Sequence, residues 1–229
     1  RHKETTLSAS GYQTVEANGN WRAHYDKFTV ENLTPDKDLL EALSQMPGLK
    51  QLFASLDPQQ TLRFDGAMDF KGTADLNDPI TAAWDLDTYF FGGTMHTGLD
   101  FKNLRGKVHA KGSWNGQDVK VNGDVDLSSA RILDYDLTDV RGPFRVEQGT
   151  LMFGAGDTQR VRPPGLLEDR ERITAKLFDG TLLLDGVSTL SETPKYKVLL
   201  QLRDARLEKF AALHAPKQRD LRGITNGSV

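Results

Sequence analysis

The 229-residue chain contains no cysteine. Disulfides, thiol nucleophiles, iron–sulfur clusters and cysteine zinc sites are all excluded at once. Uninterrupted apolar runs stop at four residues, far short of the roughly 20 that a bilayer-spanning helix needs. A charge excess of either sign is also missing. Lys and Arg number 29 against 32 Asp and Glu, interspersed, for a net charge of −3, so no basic field exists to draw a nucleic acid and none is expected as a partner.

What the chain does have is alternation, punctuated by 21 Gly and 9 Pro. In 118–127, Val119, Val121, Val125 and Leu127 alternate with Lys120, Asn122, Asp124 and Asp126, and Gly123 falls in the apolar phase. In 61–71, Leu62, Phe64, Met68 and Phe70 alternate with Arg63, Asp65, Asp69 and Lys71, again with a glycine, Gly66, in the apolar phase. Val198, Leu200 and Leu202 repeat the pattern in 196–203. Period two with one apolar and one polar face predicts antiparallel strands that are wet on one side. Further strands are expected at 21–30, 80–86, 95–101, 106–114, 130–137, 142–147, 150–153, 173–178 and 181–186, with a weak edge strand near 11–17. Helices are few. Thr34 and Pro35 predict a cap and first turn for two short helices in series across 34–56, broken at Pro47-Gly48, and Leu207, Phe210 and Leu213 mark another over 206–213. Both helical stretches are expected to pack on the sheet.

The fold class that follows is mainly β: an elongated, twisted antiparallel sheet with a few short helices, or else a closed β-sandwich, since both need the same alternation. Leu104-Arg105-Gly106, Val140-Arg141-Gly142 and Leu221-Arg222-Gly223 each open a strand candidate, and the order strand, helix, strand occurs twice. Recurrence on this scale suits a sheet built of units, with a boundary expected between 1–103 and 104–229 and an exposed loop at 159–172. The chain opens at Arg1 and closes at Val229 within a strand-like stretch, and so reads as a piece of a longer repeat protein.

Few residues suggest chemistry. The five histidines (His2, His24, His96, His109, His214) show no spacing for a metal. His96 and His109 fall in the polar phase of their strands and are expected to face solvent. Asp124, Asp126, Asp134, Asp136 and Asp139 could hold calcium or act as a glycosidase pair, yet their alternation fits a solvated strand face better. Gly-x-Ser-x-Gly, phosphate-loop and dinucleotide signatures are absent. Trp21, Trp84 and Trp114 are read as core or rim residues rather than a sugar platform. The chain is therefore expected to be no enzyme and to carry no cofactor or metal.

The stretch from Leu104 to Phe153, followed by Phe178-Asp179-Gly180, Leu184-Asp185-Gly186 and Asp204-Ala205-Arg206-Leu207, resembles the C-terminal repeat region of AsmA-like (TamB–YhdP-type) proteins of the bacterial envelope. The resemblance covers about 100 to 130 residues of the second half. It implies a taco-like β-groove on the periplasmic side of a diderm envelope, membrane-anchored through regions of the parent, which handles phospholipid or another acyl-chain lipid in transport or outer-membrane assembly. The lipid lining would be the surface formed by Leu62, Phe64, Met68, Phe70, Val119, Val121, Val125, Leu127, Val198, Leu200 and Leu202. The rival reading is a sealed sandwich that binds or adheres through its loops.

Overall fold

The computed structural model describes residues 5–44, 47–57, 60–75, 78–96, 100–155, 171–191, 193–214 and 223–228. Among these, the elements in chain order are β1 (Thr6–Val15), β2 (Trp21–Leu33), α1 (Lys37–Ala42), α2 (Pro47–Ala54), β3 (Leu62–Gly72), β4 (Thr81–His96), β5 (Asp100–Trp114) and β6 (Val119–Ile132), followed by β7 (Tyr135–Glu147), β8 (Thr150–Phe153), β9 (Ile173–Leu177), β10 (Gly180–Thr189), β11 (Tyr196–Arg206), α3 (Leu207–His214) and β12 (Ile224–Ser228). All twelve strands join one antiparallel sheet, in which each strand lies beside its sequence neighbours except β8 and β9, which share the position between β7 and β10. β1 and β12 are its two edges, so the sheet is open: neither a closed barrel nor two stacked sheets. The chain exposes 14043 Å², whereas a compact monomer of this mass would expose about 10,400 Å². The alternative of a closed sandwich gives way to an elongated, twisted, groove-shaped sheet.

One strand position is shared. β8 pairs with the lower half of β7 and of β10, while β9 pairs with their upper halves. Together they form one strand interrupted by the 154–172 connection. The break lies opposite Asp185, between the pairs Leu184↔Ile173 and Gly186↔Phe153. The Asp185 carboxylate holds both broken ends, accepting from the Ala155 amide at 2.9 Å and from the Arg172 guanidinium, which also donates to Gln201 at 3.1 Å. Arg172 and Asp185 are each 3% exposed. The loop expected to be exposed over 159–172 is therefore closed at its Arg172 end, because an arginine with a buried carboxylate partner is drawn inside; 156–170 lie outside the described residues.

A second device recurs at one end of the strands. Asn32, Asn103, Asp139 and Asp204 all adopt left-handed backbone, with φ of 56°, 51°, 50° and 55°. Each sits where the register shifts: Val30/Leu33, Lys102/Arg105, Thr138/Arg141 and Leu202/Ala205. Asn and Asp tolerate this conformation better than other side chains, and the bulge it creates bends the strand. Leu104, Val140 and Ala205, which follow three of them, are buried at 4%, 8% and 0%. The recurrent Leu-Arg-Gly and Val-Arg-Gly tripeptides thus mark bulges within β5 and β7 rather than strand openings; Leu221 and Arg222 lie outside the described residues. The expected unit boundary at 103/104 falls inside β5, which pairs with β4 and β6 on either side of it.

Two expected strands are hairpins. The stretch 95–101 divides between the end of β4 and the start of β5, with Met95 opposite Phe101; 130–137 divides at a Leu133-Asp134 turn, with Ile132 opposite Tyr135. Apolar residues on both sides of a chain reversal keep the period of a single strand, so the pattern hides it; 97–99 lie outside the described residues. The α1 cap is Asp36, whose carboxylate accepts from the Leu39 amide at 3.0 Å, while the Thr34 hydroxyl donates to Asp36. Thr34 supports the cap instead of forming it. Pro47, expected to end the first helix, begins α2, where a missing N–H has no cost. α2 lies on the sheet: Phe53 meets Phe64 at 6.1 Å between ring centroids, and Leu56 bridges to Met95.

Candidate functional site

Register settles which side chains share a face. Following partners from strand to strand, Tyr25, Met68, Trp84, Gly112, Val121, Val146, Leu151, Ser188 and Tyr196 form one row across the sheet. Leu33, Leu62, Phe90, Gly106, Leu127 and Val140 form another. Between these lie the rows that carry Phe64, Val108 and Val125, and Gly66, Ala110, Gly123, Phe144, Phe153, Gly186 and Val198. All eleven residues expected to line a groove fall on this one face.

Exposure divides them. Leu62, Val119, Val121 and Leu127 are buried, at 1%, 7%, 5% and 6%. Phe64, Met68, Phe70, Val125, Val198, Leu200 and Leu202 are only half-buried. The buried four lie in the rows toward the two ends of the strands, and the other seven are half-covered, Phe64 by Phe53 of α2. The same face also carries Trp84, Leu86, Phe90, Val108 and Phe144, none of them among the expected lining. Their signal was an alternation interrupted by Thr88 on β4 and by Pro143 on β7.

Large rings lie across the glycines of neighbouring strands. A methyl group at Gly112 would come within 2.4 Å of the Trp84 indole, and one at Gly186 within 2.2 Å of the Phe153 ring. The rings therefore lie flat against the backbone instead of standing up from it. In a packed sandwich core, side chains from two sheets interdigitate; here the rings make a low floor. The three tryptophans gather on this face at one end of the strands: Trp21 opens β2, Trp84 lies near the start of β4, and Trp114 closes β5 opposite Ala82 and Val119.

The opposite face is a lattice of cross-strand ion pairs. Arg22 reaches Asp69 at 2.7 Å, Lys107 reaches Asp87 at 3.0 Å, Lys120 reaches Glu147 at 3.0 Å and Arg141 reaches Asp126 at 3.1 Å. His24 donates or accepts through both ring nitrogens, to Asp69 at 3.0 Å and to Asp26 at 2.8 Å. Hydrogen bonds to these two carboxylates raise its pKa above the ordinary imidazole value. Asp69, bonded by Arg22 and His24, is held below the usual carboxylate range. At Asp87 burial pushes the carboxyl up, but hydrogen bonds from Lys107 and His109 outweigh it and leave the group low. His96 and His109 do lie on the wet face, yet each has a carboxylate beside it, Asp100 at 2.7 Å and Asp87 at 3.0 Å. Sequence spacing missed the His24–Asp69 and His109–Asp87 partners because they come from the adjacent strand.

The acidic set does not converge. Asp126 pairs with Arg141, Asp136 pairs with Arg131 at 2.7 Å, and Asp134 and Asp139 occupy left-handed positions at a turn and a bulge. Among the described residues no three His, Asp or Glu side chains gather as a metal would require, and no helix is long and apolar enough to cross a membrane. The feature that stands out is a surface: an apolar, half-covered groove face backed by a charged one. No protein-family model, curated protein or solved structure matches the chain.

Proposed function

We propose that this chain is a lipid-binding segment of an AsmA-like envelope protein, whose groove face carries acyl chains during phospholipid transport or outer-membrane assembly. The observation that carries this reading is the continuity of the apolar face. It runs unbroken by charge from β2 to β11, remains half-exposed at Phe64, Met68, Phe70, Val198, Leu200 and Leu202, and is backed between β2 and β3, β4 and β5, and β6 and β7 by cross-strand ion pairs. Adjacent strands lie about 4.8 Å apart, so the eight steps from β2 to β11 give a path of about 38 Å, longer than a single acyl chain. Each methylene removed from water contributes about 0.8 kcal/mol. A contact made of many such small, non-directional terms holds a chain without fixing its position, which is what a conducting groove requires. Activity of this kind resides in a surface and calls for no catalytic group.

The test is native mass spectrometry of the protein purified gently from bacterial membranes, with extraction of any lipid. Wild type and the opposite-face variant Arg141→Glu are expected to retain phospholipid. Met68→Glu and Leu200→Glu, folded by circular dichroism, are expected to lose it. A lipid-free, monodisperse wild type would overturn the proposal and move the search for function to the loops.

A further inference from the structure

Beyond the pair Thr138↔Lys176, the last between them, β7 and β9 separate, and α3 reaches over the gap with Lys209 and Leu213. The cavity left there has a volume of about 650 Å³, within the range of about 300–1,000 Å³ usual for small-molecule sites. Its rim is accessible: Asp134, Asp136, Lys176, Asp179 and Lys209 line it and are all exposed. Its inner wall is Tyr135, Leu177 and Phe178, each half-buried. Tyr135 and Leu177 stand two positions beyond Leu137 and Ala175 of the buried apolar face and share their phase, so the cavity opens at the end of the groove face. Two hairpin turns build this site under strain. Leu133-Asp134 and Phe178-Asp179 are left-handed at both residues, with φ of 48° and 66° in the first and 54° and 63° in the second. Asn-Gly suits such turns, whereas a bulky apolar residue is strained in them; at the opposite end of the strands the β7–β8 turn takes Gln148-Gly149. Strain of this sort gathers at ligand clamps. At Phe178 it secures a wall, since the ring stands edge-on to Tyr135 and to Phe210 of α3, with 5.8 Å between centroids in each pair.

The charges on the rim do not all find partners. Asp136 is taken by Arg131 at 2.7 Å, and Asp179 by Lys209 at 2.5 Å and Arg206 at 3.3 Å. Among the described residues Asp134 makes no hydrogen bond or ion pair, and the Lys176 ammonium donates only to the Thr181 hydroxyl, at 3.2 Å. One carboxylate and one ammonium therefore stand over the same cavity without a partner of opposite sign. We infer that this cavity binds the head group of a zwitterionic phospholipid: the Asp134 carboxylate accepts from a primary ammonium, the Lys176 ammonium donates to the phosphate, and the glycerol end rests against Tyr135 and Phe178. This rests on the lipid-groove reading above and names the head group that the lipid carries. A purely anionic head group would satisfy Lys176 but set its charge beside Asp134, and a cationic one would do the reverse, so complementarity to both signs selects the zwitterion. A primary ammonium also brings N–H donors to the carboxylate, which a quaternary one lacks. The acyl chain then leaves past Tyr135 and Leu177 onto the apolar floor.

The experiment compares lysophosphatidylethanolamine, lysophosphatidylglycerol of the same chain and the water-soluble glycerophosphoethanolamine, by calorimetry below the micelle concentration, on wild type, Asp134→Asn and Lys176→Gln. Asparagine tolerates the left-handed turn and position 176 is exposed, so both variants are expected to fold. Wild type is expected to bind the ethanolamine lipid about three- to tenfold more tightly than the glycerol lipid, the worth of one charged contact at an open rim. Asp134→Asn should erase that preference. Lys176→Gln should weaken both lipids by a similar factor and keep it. Glycerophosphoethanolamine, with no chain for the floor, should bind about a hundredfold more weakly than its lysolipid. In wild type, nuclear Overhauser contacts from the ethanolamine methylenes should reach the Tyr135 and Phe178 rings, a readout that depends on no variant. Equal or tighter binding of the glycerol lipid in wild type, a preference that survives in Asp134→Asn, or head-group contacts to Phe64 and Met68 instead, overturns the inference while leaving the groove intact. Glycerophosphoethanolamine bound as tightly as its lysolipid overturns the link between cavity and groove and makes the site one for a soluble zwitterion. If neither lysolipid binds, the groove reading fails and this inference falls with it.

Discussion

β3 and β10 lie in the same sheet and present residues to the same groove, yet they are held in opposite ways. β3 alternates cleanly, and along its length only Leu62 is fully buried; Phe64, Met68 and Phe70 remain half-covered. β10 has no alternation in its centre: Leu182, Leu183, Leu184, Asp185 and Gly186 are all buried, on both faces. The difference comes from what each strand has behind it. β3 is backed by the paired charges of Arg63, Asp65 and Asp69, open to water, whereas behind β10 lie Leu199, Gln201 and Arg172 in a buried layer around the broken strand. One part of the sheet is anchored as a core and the other is left available as a surface. An open sheet needs both, because a face kept free for a ligand contributes little to folding.

Substitutions that break the anchored side should have the largest effects. Asp185→Ala strands the buried Arg172 guanidinium and the Ala155 amide, and is expected to lower stability by about 3–5 kcal/mol in urea unfolding. Leu183→Ala, at 0% exposure, should cost about 3–4 kcal/mol, whereas Leu200→Ala on the half-open face of β11 should cost about 1–2 kcal/mol. Equal losses at the two leucines would mean that the groove face is a sealed core. Gly112→Ala should lift the Trp84 indole from the floor, lowering stability by about 1–3 kcal/mol and shifting tryptophan emission; unchanged emission would show that the ring does not rest on the glycine. Smallest of all, Arg141→Ala removes an exposed pair and should change stability by about 0–1 kcal/mol.

The wet face also has a pH signature. The folded His24 pKa lies above its unfolded value, so its contribution is fully present below the ordinary imidazole pKa and fades as pH rises through the raised one. Asp69 acts in the opposite sense: its folded pKa is depressed, so its contribution is present above the ordinary carboxylate pKa and lost as pH falls through the lowered one. The β2–β3 pairing should therefore be firmest between the two windows. In a proton-detected histidine titration His24 should deprotonate at higher pH than an unstructured histidine, and Asp69→Asn should bring it down; a His24 midpoint untouched by Asp69→Asn would contradict the contact.

Much of this was legible in the residues. The period-two runs at 61–71, 118–127 and 196–203 put their apolar residues on one face of β3, β6 and β11, because side-chain direction in a strand follows directly from position; burial follows that phase in β6 but not in β11, where Leu199 and Gln201 on the other face are the buried ones. The two helices in series and α3 were legible from apolar spacing and from Pro and Gly. Less could be read where a signal had two meanings. Apolar residues on both sides of the Leu133-Asp134 turn look like one continuous strand. Asn103 and Asp139 look like ordinary polar positions until their backbone is seen to be left-handed. Arg172, in an Arg- and Pro-rich stretch, has the composition of a surface loop, and only its partners Asp185 and Gln201, 13 and 29 positions away, draw it inside. At the candidate site the phase of the lining residues was legible, but which of them are buried and which stay half-covered was not, since cover is a property of neighbours contributed by other elements.

The sequence by itself determined that the chain makes antiparallel strands with an apolar and a charged face, since local alternation needs no distant partner to define it. Tertiary structure alone decided that these strands form a single open sheet, that β8 and β9 share one position around Asp185, and that the rings lie down over glycines instead of meeting a second layer. Those outcomes depend on pairings between segments far apart in the chain, and the period of a strand carries no record of what, if anything, will cover it.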